Sequence, residues 1–178
     1  MKTTVRQRVV LLIDICSFSS MEIERQFAAV LDLQKLCVRL MSRRKSQFIE
    51  MIPLGDGFIF GLTGQNLVEA ILFCIAVQKA VQSKSRRPYQ IRSAINYGNV
   101  FEYIDINSNP NFIGDAVNVC ARISNGSNPD SIILRDTYYN LIREIDHELS
   151  SKILKYGVPV FGKRDEEYSV YYYVDEKN

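Results

Sequence analysis

An α+β fold, with helices laid against an antiparallel sheet, is what the sequence predicts, and three observations predict it. Short β-branched runs alternate with two long segments of helical spacing, in the order strand, helix, hairpin, helix, strand. The hairpin is marked by "PLGDGFIF", residues 53–60, where Asp-Gly sits between two apolar runs. With 178 residues the chain is long enough for one well-buried core and short for two, so residues 1–178 read as a single domain.

The elements follow in order. "RVVLLIDI", residues 8–15, is a continuous apolar run and reads as a buried strand. Residues 20–42 carry Phe27, Val30, Leu31, Leu36 and Val38 at helical spacing, which predicts a long helix opened by Ser-Ser capping. "QFIEMIPL" and "GFIFGL" form the hairpin about Gly55 and Asp56. Residues 65–84 give a second helix, closed by the polar run to Pro88, and "YQIRSAINYG" with "NVFEYIDI" gives a second strand pair. This is the βαββαβ plan of ferredoxin-like folds, with helices on one face of the sheet. Beyond it come a helix after Gly114, a short strand "SIILR", a helical "TYYNLIREI" and a C-terminal strand pair ending in "YSVYYYV".

Composition excludes several classes of function. Apolar residues make up 47% and charged residues 24% of the chain, ordinary globular values that disfavour disorder and membrane insertion. The apolar stretch from Leu67 to Val81 is broken by Glu69, Gln78 and Lys79, so it reads as a buried helix rather than a span. A formal charge of +2 suggests no nucleic-acid surface, and the clusters Arg43, Arg44, Lys45 and Lys84, Arg86, Arg87 read as solvated helix ends. The four cysteines, Cys16, Cys37, Cys74 and Cys120, lie among apolar neighbours without metal-ligand or redox spacing. With no signal peptide, the cytoplasm is the expected compartment. The single His147, in "REIDHELSSK", reads as a solvated loop residue.

Asp14 and Asp56 are the first candidate site. The topology sets the end of the first strand beside the hairpin, so the two carboxylates come together, and with no basic side chain between them their expected neutralising partner is a divalent cation. Magnesium or manganese suits a pair of oxygen ligands completed by water and substrate phosphate. The small-residue turn "ICSFSS" that follows, with Ser17, Phe18 and Ser19, offers backbone amides to phosphate. The second candidate lies in "NFIGDAVNVCARISN", residues 111–125: if residues 116–123 are helical, Asn118 and Arg122 project from one face, with Val117 and Ala121 on the adjoining buried side. An amide and a guanidinium so placed suit a ribose and a phosphoryl group; an ordinary solvated helix face would look the same.

With these motifs assembled, the chain resembles the class III nucleotidyl cyclases, the adenylate and guanylate cyclase homology domain. The resemblance runs from "LLIDICSFS" through "PLGDGF", "IRSAINYGNV" and "FIGDAVNVCARI" to "SIILRDTYYNLI" and "VFGK", nearly the whole chain. It implies that Asp14 and Asp56, with the Ile15 carbonyl, bind two divalent cations, Mn²⁺ or Mg²⁺. It implies that Asn118 orients the ribose, that Arg122 stabilises the transition state, and that Lys163 holds the triphosphate, with Lys155 as the alternative. It also implies a head-to-tail homodimer, because in this family the carboxylates and the Asn/Arg helix of one site come from different protomers.

Two positions depart from the family. Adenylate cyclases place Lys four residues before the second metal Asp and an Asp before the Gly-x-x-Val-Asn stretch; guanylate cyclases place Glu and Cys there. Here the residues are Ile52 and Asn111. Ile52 makes no hydrogen bond, so neither purine code is present, unless Glu50 reads the base from a shifted register. Asn111 offers a donor and an acceptor, which match uracil or, flipped, cytosine. A standalone cyclase with a non-purine pocket is similar to the bacterial pyrimidine cyclases of Pycsar antiphage systems. That similarity implies conversion of UTP to cyclic UMP and a separate cyclic-nucleotide-binding effector. Conversion of CTP, a purine cyclase, a degenerate dimerisation module and a GGDEF-type diguanylate cyclase are the alternatives. The last lacks an Asn/Arg helix and carries Gly-Gly-Asp/Glu-Glu-Phe where this hairpin reads "LGDGF".

Overall fold

The structure, a computed structural model, describes residues 4–44, 48–83, 89–157, 160–161 and 167–174. Strand β1 (Thr4–Ile15) is its axis, flanked by β3 (Gly57–Thr63) on one side and β4 (Ile91–Ile104) on the other, both antiparallel. With β2 (Phe48–Pro53), β6 (Ile132–Arg135), β7 (Ile153–Lys155) and β10 (Val170–Tyr173), the sheet runs β2-β3-β1-β4-β6-β10-β7, and β5 (Pro110–Ile113) pairs with β4. Only the β4–β6 pairing is parallel among the described residues. The predicted α+β class and the βαββαβ order both hold.

Helices cover both faces of the sheet, not one. Val9, Leu11, Ile13 and Ile15 pack under α1 (Ile23–Ser42) and α2 (Leu67–Gln82), together with α4 (Asp136–Ile145) and the short α5 (His147–Ser151). Val10 and Leu12 point the other way, into a second core beneath α3 (Asp115–Asn125). Successive strand residues alternate between faces, so covering both is why Val9 to Ile13 read as an unbroken apolar run.

Three boundaries differ from the sequence prediction. The long helix begins at Ile23; Phe18–Ser20 form a separate 3-10 turn, and the Ser20 hydroxyl bonds the Ser17 carbonyl at 2.7 Å instead of capping the helix. The buried stripe of α1 is Ala29, Leu33, Leu36 and Cys37, while Phe27 and Val38 stand exposed beside Ile23. The second strand pair is one continuous strand of 14 residues, β4, whose hairpin partner is β5. Gly98-Asn99 looks like a turn, but Gly98 serves a close approach: a Cβ there would lie 3.3 Å from the Ala116 Cβ of α3. His147 is exposed, as expected, though it opens α5, which Asp146 caps by accepting from the Leu149 amide at 2.9 Å. Among the described residues, no helix is long and apolar enough to cross a membrane.

Candidate functional site

The C-terminal end of β1 and the β2–β3 turn bring Asp14 and Asp56 together. Asp14 pairs across the sheet with Gly57, the Ile15 amide donates to the Asp56 carbonyl at 2.9 Å, and the Leu54 amide closes the turn on Gly57 at 2.8 Å. Gly57 allows this approach, since a Cβ there would stand 2.2 Å from the Ile13 carbonyl oxygen. Asp14 lies on the α3 side of β1 and is only 6% exposed. Its carboxyl is held above the ordinary value by burial, with the Asp56 charge adding to the rise and Arg92 and Ser124 opposing it.

The expectation that no basic group attends these carboxylates is corrected. Arg92 faces Asp14 from β4, in direct register, and its Nε reaches both carboxylate oxygens, at 2.8 and 3.1 Å. Burial works against the Arg92 charge, but its bond to Asp14 and the Asp14 and Asp56 charges leave its pKa raised. The sequence held a clue: Arg92 is the one basic residue of β4, one residue from its start. Finding its partner required the β1–β4 register, which a single sequence does not display.

The donor set fits a hard cation. Two carboxylates and the Ile15 carbonyl are oxygen ligands of the kind Mg²⁺ and Mn²⁺ take, and the raised Asp14 carboxyl marks a buried acid that one guanidinium only partly neutralises. Among the described residues, no group of three or more His, Cys, Asp or Glu side chains assembles into a complete metal site. Ser17 and Ser19 are exposed beside this pair, and Phe18 packs its ring on the first core. Ser17 adopts a left-handed conformation, φ 55, to turn the chain. The Ser20 amide donates back to the Ser17 carbonyl at 3.1 Å, which closes the turn.

Helix α3 carries the second group. Asn118 is exposed and Arg122 half-buried on one face, while Val117 and Ala121 pack partly into the second core, as the spacing predicted. Arg122 Nη1 donates to the Tyr168 hydroxyl at 3.3 Å. The C-terminal end of α3 meets the first group: the Ser124 hydroxyl lies 3.4 Å from Asp14 Oδ2, and Arg92 Nη2 donates to Asn125 Oδ1 at 3.3 Å. Within one chain, the guanidinium on Asp14 is therefore Arg92 and not Arg122.

Ile52 is half-buried against the second core with Ile59 and Phe112, so it packs rather than projecting freely. Asn111 sits on β5 opposite Tyr103, half-buried, and its Oδ1 accepts from the Phe112 amide at 2.7 Å, while its NH₂ has no partner among the described residues. Lys155 is exposed on β7; Lys163 lies outside the described residues. Val5, Phe101 and Ile113 are directly paired across β1, β4 and β5, and all three are exposed.

No family model and no curated protein matches the chain. Solved structures do. The catalytic core of a rhodopsin-guanylyl cyclase with converted specificity, in complex with ATPαS, superposes with a TM-score of 0.79 at 16% identity, over 98% of each chain. The adenylyl cyclase CyaB from P. aeruginosa gives a TM-score of 0.76 at 18% identity, covering 100% of this chain and 98% of that one. An adenylate/guanylate cyclase/hydrolase from Silicibacter pomeroyi gives 0.74 at 23% identity, covering 98% of this chain and 100% of the other. At such identities the likeness is one of fold: this chain has the fold of the nucleotide cyclase catalytic domain.

Proposed function

We propose that the protein is a pyrimidine nucleotide cyclase, converting UTP to 3′,5′-cyclic UMP and pyrophosphate as a second messenger in antiphage defence. The observation that carries the cyclase reading is the pairing of Asp14 with Asp56 at one end of a sheet whose α3 presents Asn118 and Arg122 on one face. The shared fold supports it. Two copies of this chain, head to tail, would set the carboxylates of one against the α3 face of the other. The exposed row of Val5, Phe101 and Ile113 offers such a partner a small apolar surface to cover.

In this reading the chain's own residues position the substrate and balance its charge. Asp14, Asp56 and the Ile15 carbonyl hold the divalent cations, which, when bound, lower the pKa of the ribose 3′-hydroxyl and neutralise the triphosphate. Asn118 orients the ribose so that its 3′-oxygen stands in line with the α-phosphorus and the departing pyrophosphate. Arg122 supplies hydrogen-bond donors to the oxygens on which charge builds. Backbone amides of the turn at Ser17, Phe18 and Ser19, and Lys163 or Lys155, hold phosphate oxygens. The product acts through a separate cyclic-nucleotide-binding effector.

The base is read by Asn111 beside the apolar Ile52. With its Oδ1 engaged by the Phe112 amide, Asn111 has its NH₂ left to donate. A donor so placed suits the O4 carbonyl of uracil better than the amino group cytosine carries there. The test is to incubate the protein with each of the four ribonucleoside triphosphates and Mn²⁺, and to quantify cyclic nucleotide and pyrophosphate by chromatography. UTP turnover well above the others is expected. A preference for ATP or GTP would overturn the pyrimidine assignment, and absence of cyclic product from all four would overturn the cyclase assignment.

A further inference from the structure

We propose that Tyr168 is a positioning residue that holds the Arg122 guanidinium ready for the transferring phosphoryl group. The proposal rests on the reading of Arg122 given above. It starts from a contrast between two arginines. Arg92 is bound to a carboxylate, which spends its charge inside the chain. Arg122 has no acidic partner among the described residues, and its hydrogen bond goes to a neutral phenol, 3.3 Å from Nη1. A neutral acceptor fixes a guanidinium without cancelling its charge. The other donors of the planar fork stay available for phosphate oxygens.

Tyr168 is itself immobilised, as an anchor must be. It is 6% exposed and belongs to the second core. The Arg135 guanidinium lies over its ring, 4.8 Å from the centroid, and Arg135 in turn pairs with Asp136 at 3.5 Å. Tyr168 lies on β9 (Glu167–Tyr168), paired with β8 (Val160–Phe161). That hairpin packs on the end of α3, where Val160 Cγ2 would be 3.3 Å from a Cβ on Gly126. One side chain therefore joins the α3 face to the start of α4, and the Arg122 side chain, otherwise a flexible stem on a helix surface, is tethered at its tip.

Tyr168→Phe removes the hydroxyl and keeps the ring, its packing and the Arg135 stack. Two measurements on the full chain test the proposal. Guanidinium ¹⁵N NMR, with the Arg122 signals assigned through Arg122→Lys, should show slow rotation about Nε–Cζ in the wild type and averaging in Tyr168→Phe, at an unchanged Tm. With UTP and Mn²⁺, kcat should fall about tenfold at constant KM, the signature of a group misplaced only in the transition state. Equal Arg122 mobility in the two proteins, or a loss that appears in KM or Tm instead of kcat, overturns the proposal. If the NMR difference is found but the wild type turns over no triphosphate, the tether stands and the cyclase reading falls.

Discussion

Replacing Arg92 by Ala separates its two effects on Asp14. The guanidinium stabilises a buried carboxylate, and in the proposed reading it competes with a divalent cation for the same two oxygens. Two unit charges about 4 Å apart interact by about 4 kcal/mol at an effective dielectric of about 20. Because 23% of the Arg92 side chain is exposed, screening and its own desolvation leave about 1–2 kcal/mol. Without metal, Arg92→Ala should therefore lower Tm, by roughly 2–8 °C for a chain of this size. With the competing cation gone, Mn²⁺ should bind about tenfold tighter and restore the lost stability. The pH dependence follows from the raised Asp14 carboxyl. Its proton is held more tightly in the folded state than in the unfolded one, so the metal-free protein loses stability as pH rises from the ordinary carboxylate value to the raised one. Mn²⁺ affinity rises across the same window, because the ion must displace that proton. Loss of Arg92 extends the window upward, because the guanidinium lowers the folded-state Asp14 value. Calorimetric titration with Mn²⁺ at several pH values, paired with thermal melts, reads all of this. Unchanged or weaker Mn²⁺ binding in Arg92→Ala would show that Arg92 and the cation do not compete for Asp14.

Other substitutions probe the same end of the sheet. Asp56→Asn should abolish cyclic product while leaving a folded dimer, since a turn accepts Asn as readily as Asp; near wild-type turnover at saturating Mn²⁺ would remove Asp56 from the site. Asp56→Asn and Arg122→Ala proteins, each inactive alone, should recover roughly a quarter of wild-type activity when mixed, as random exchange of subunits makes one intact site per heterodimer; no recovery despite subunit exchange in native mass spectrometry would place the site within one chain. Ser17→Gly should raise Tm by roughly 2–4 °C, because a non-glycine residue at φ 55 costs about 1 kcal/mol. Gly57→Ala should cost about 3 kcal/mol, seen as a Tm lower by roughly 6–12 °C, since its Cβ would stand 2.2 Å from the Ile13 carbonyl oxygen.

What the sequence revealed and what it concealed divide along physical lines. The hairpin at Asp56, the helix bearing Asn118 and Arg122, and the central strand that carries Asp14 near its end were legible, because each depends on local periodicity and turn chemistry. The continuity of β4 was not: Gly98-Asn99 carries a turn signal, and only the packing of α3 explains why a glycine is needed in mid-strand. The exposed side of α1 was misread for a related reason. Phe27 and Val38 keep helical spacing with one another, yet the core takes the neighbouring stripe through Leu33 and Cys37, and periodicity alone does not say which of two apolar stripes is buried. The most consequential omission concerned charge. Asp14 and Arg92 are 78 residues apart in sequence and directly paired in space, so the inference that two carboxylates stand without a cation failed while the inference that they stand together held. The revised electrostatics alter the role of the proposed ion: it would enter a site that Arg92 already partly neutralises, and to reach Asp14 it would have to displace that guanidinium. A guanidinium freed beside the triphosphate would meet its oxygens directly, so metal loading and phosphate binding at this end of β1 become linked steps.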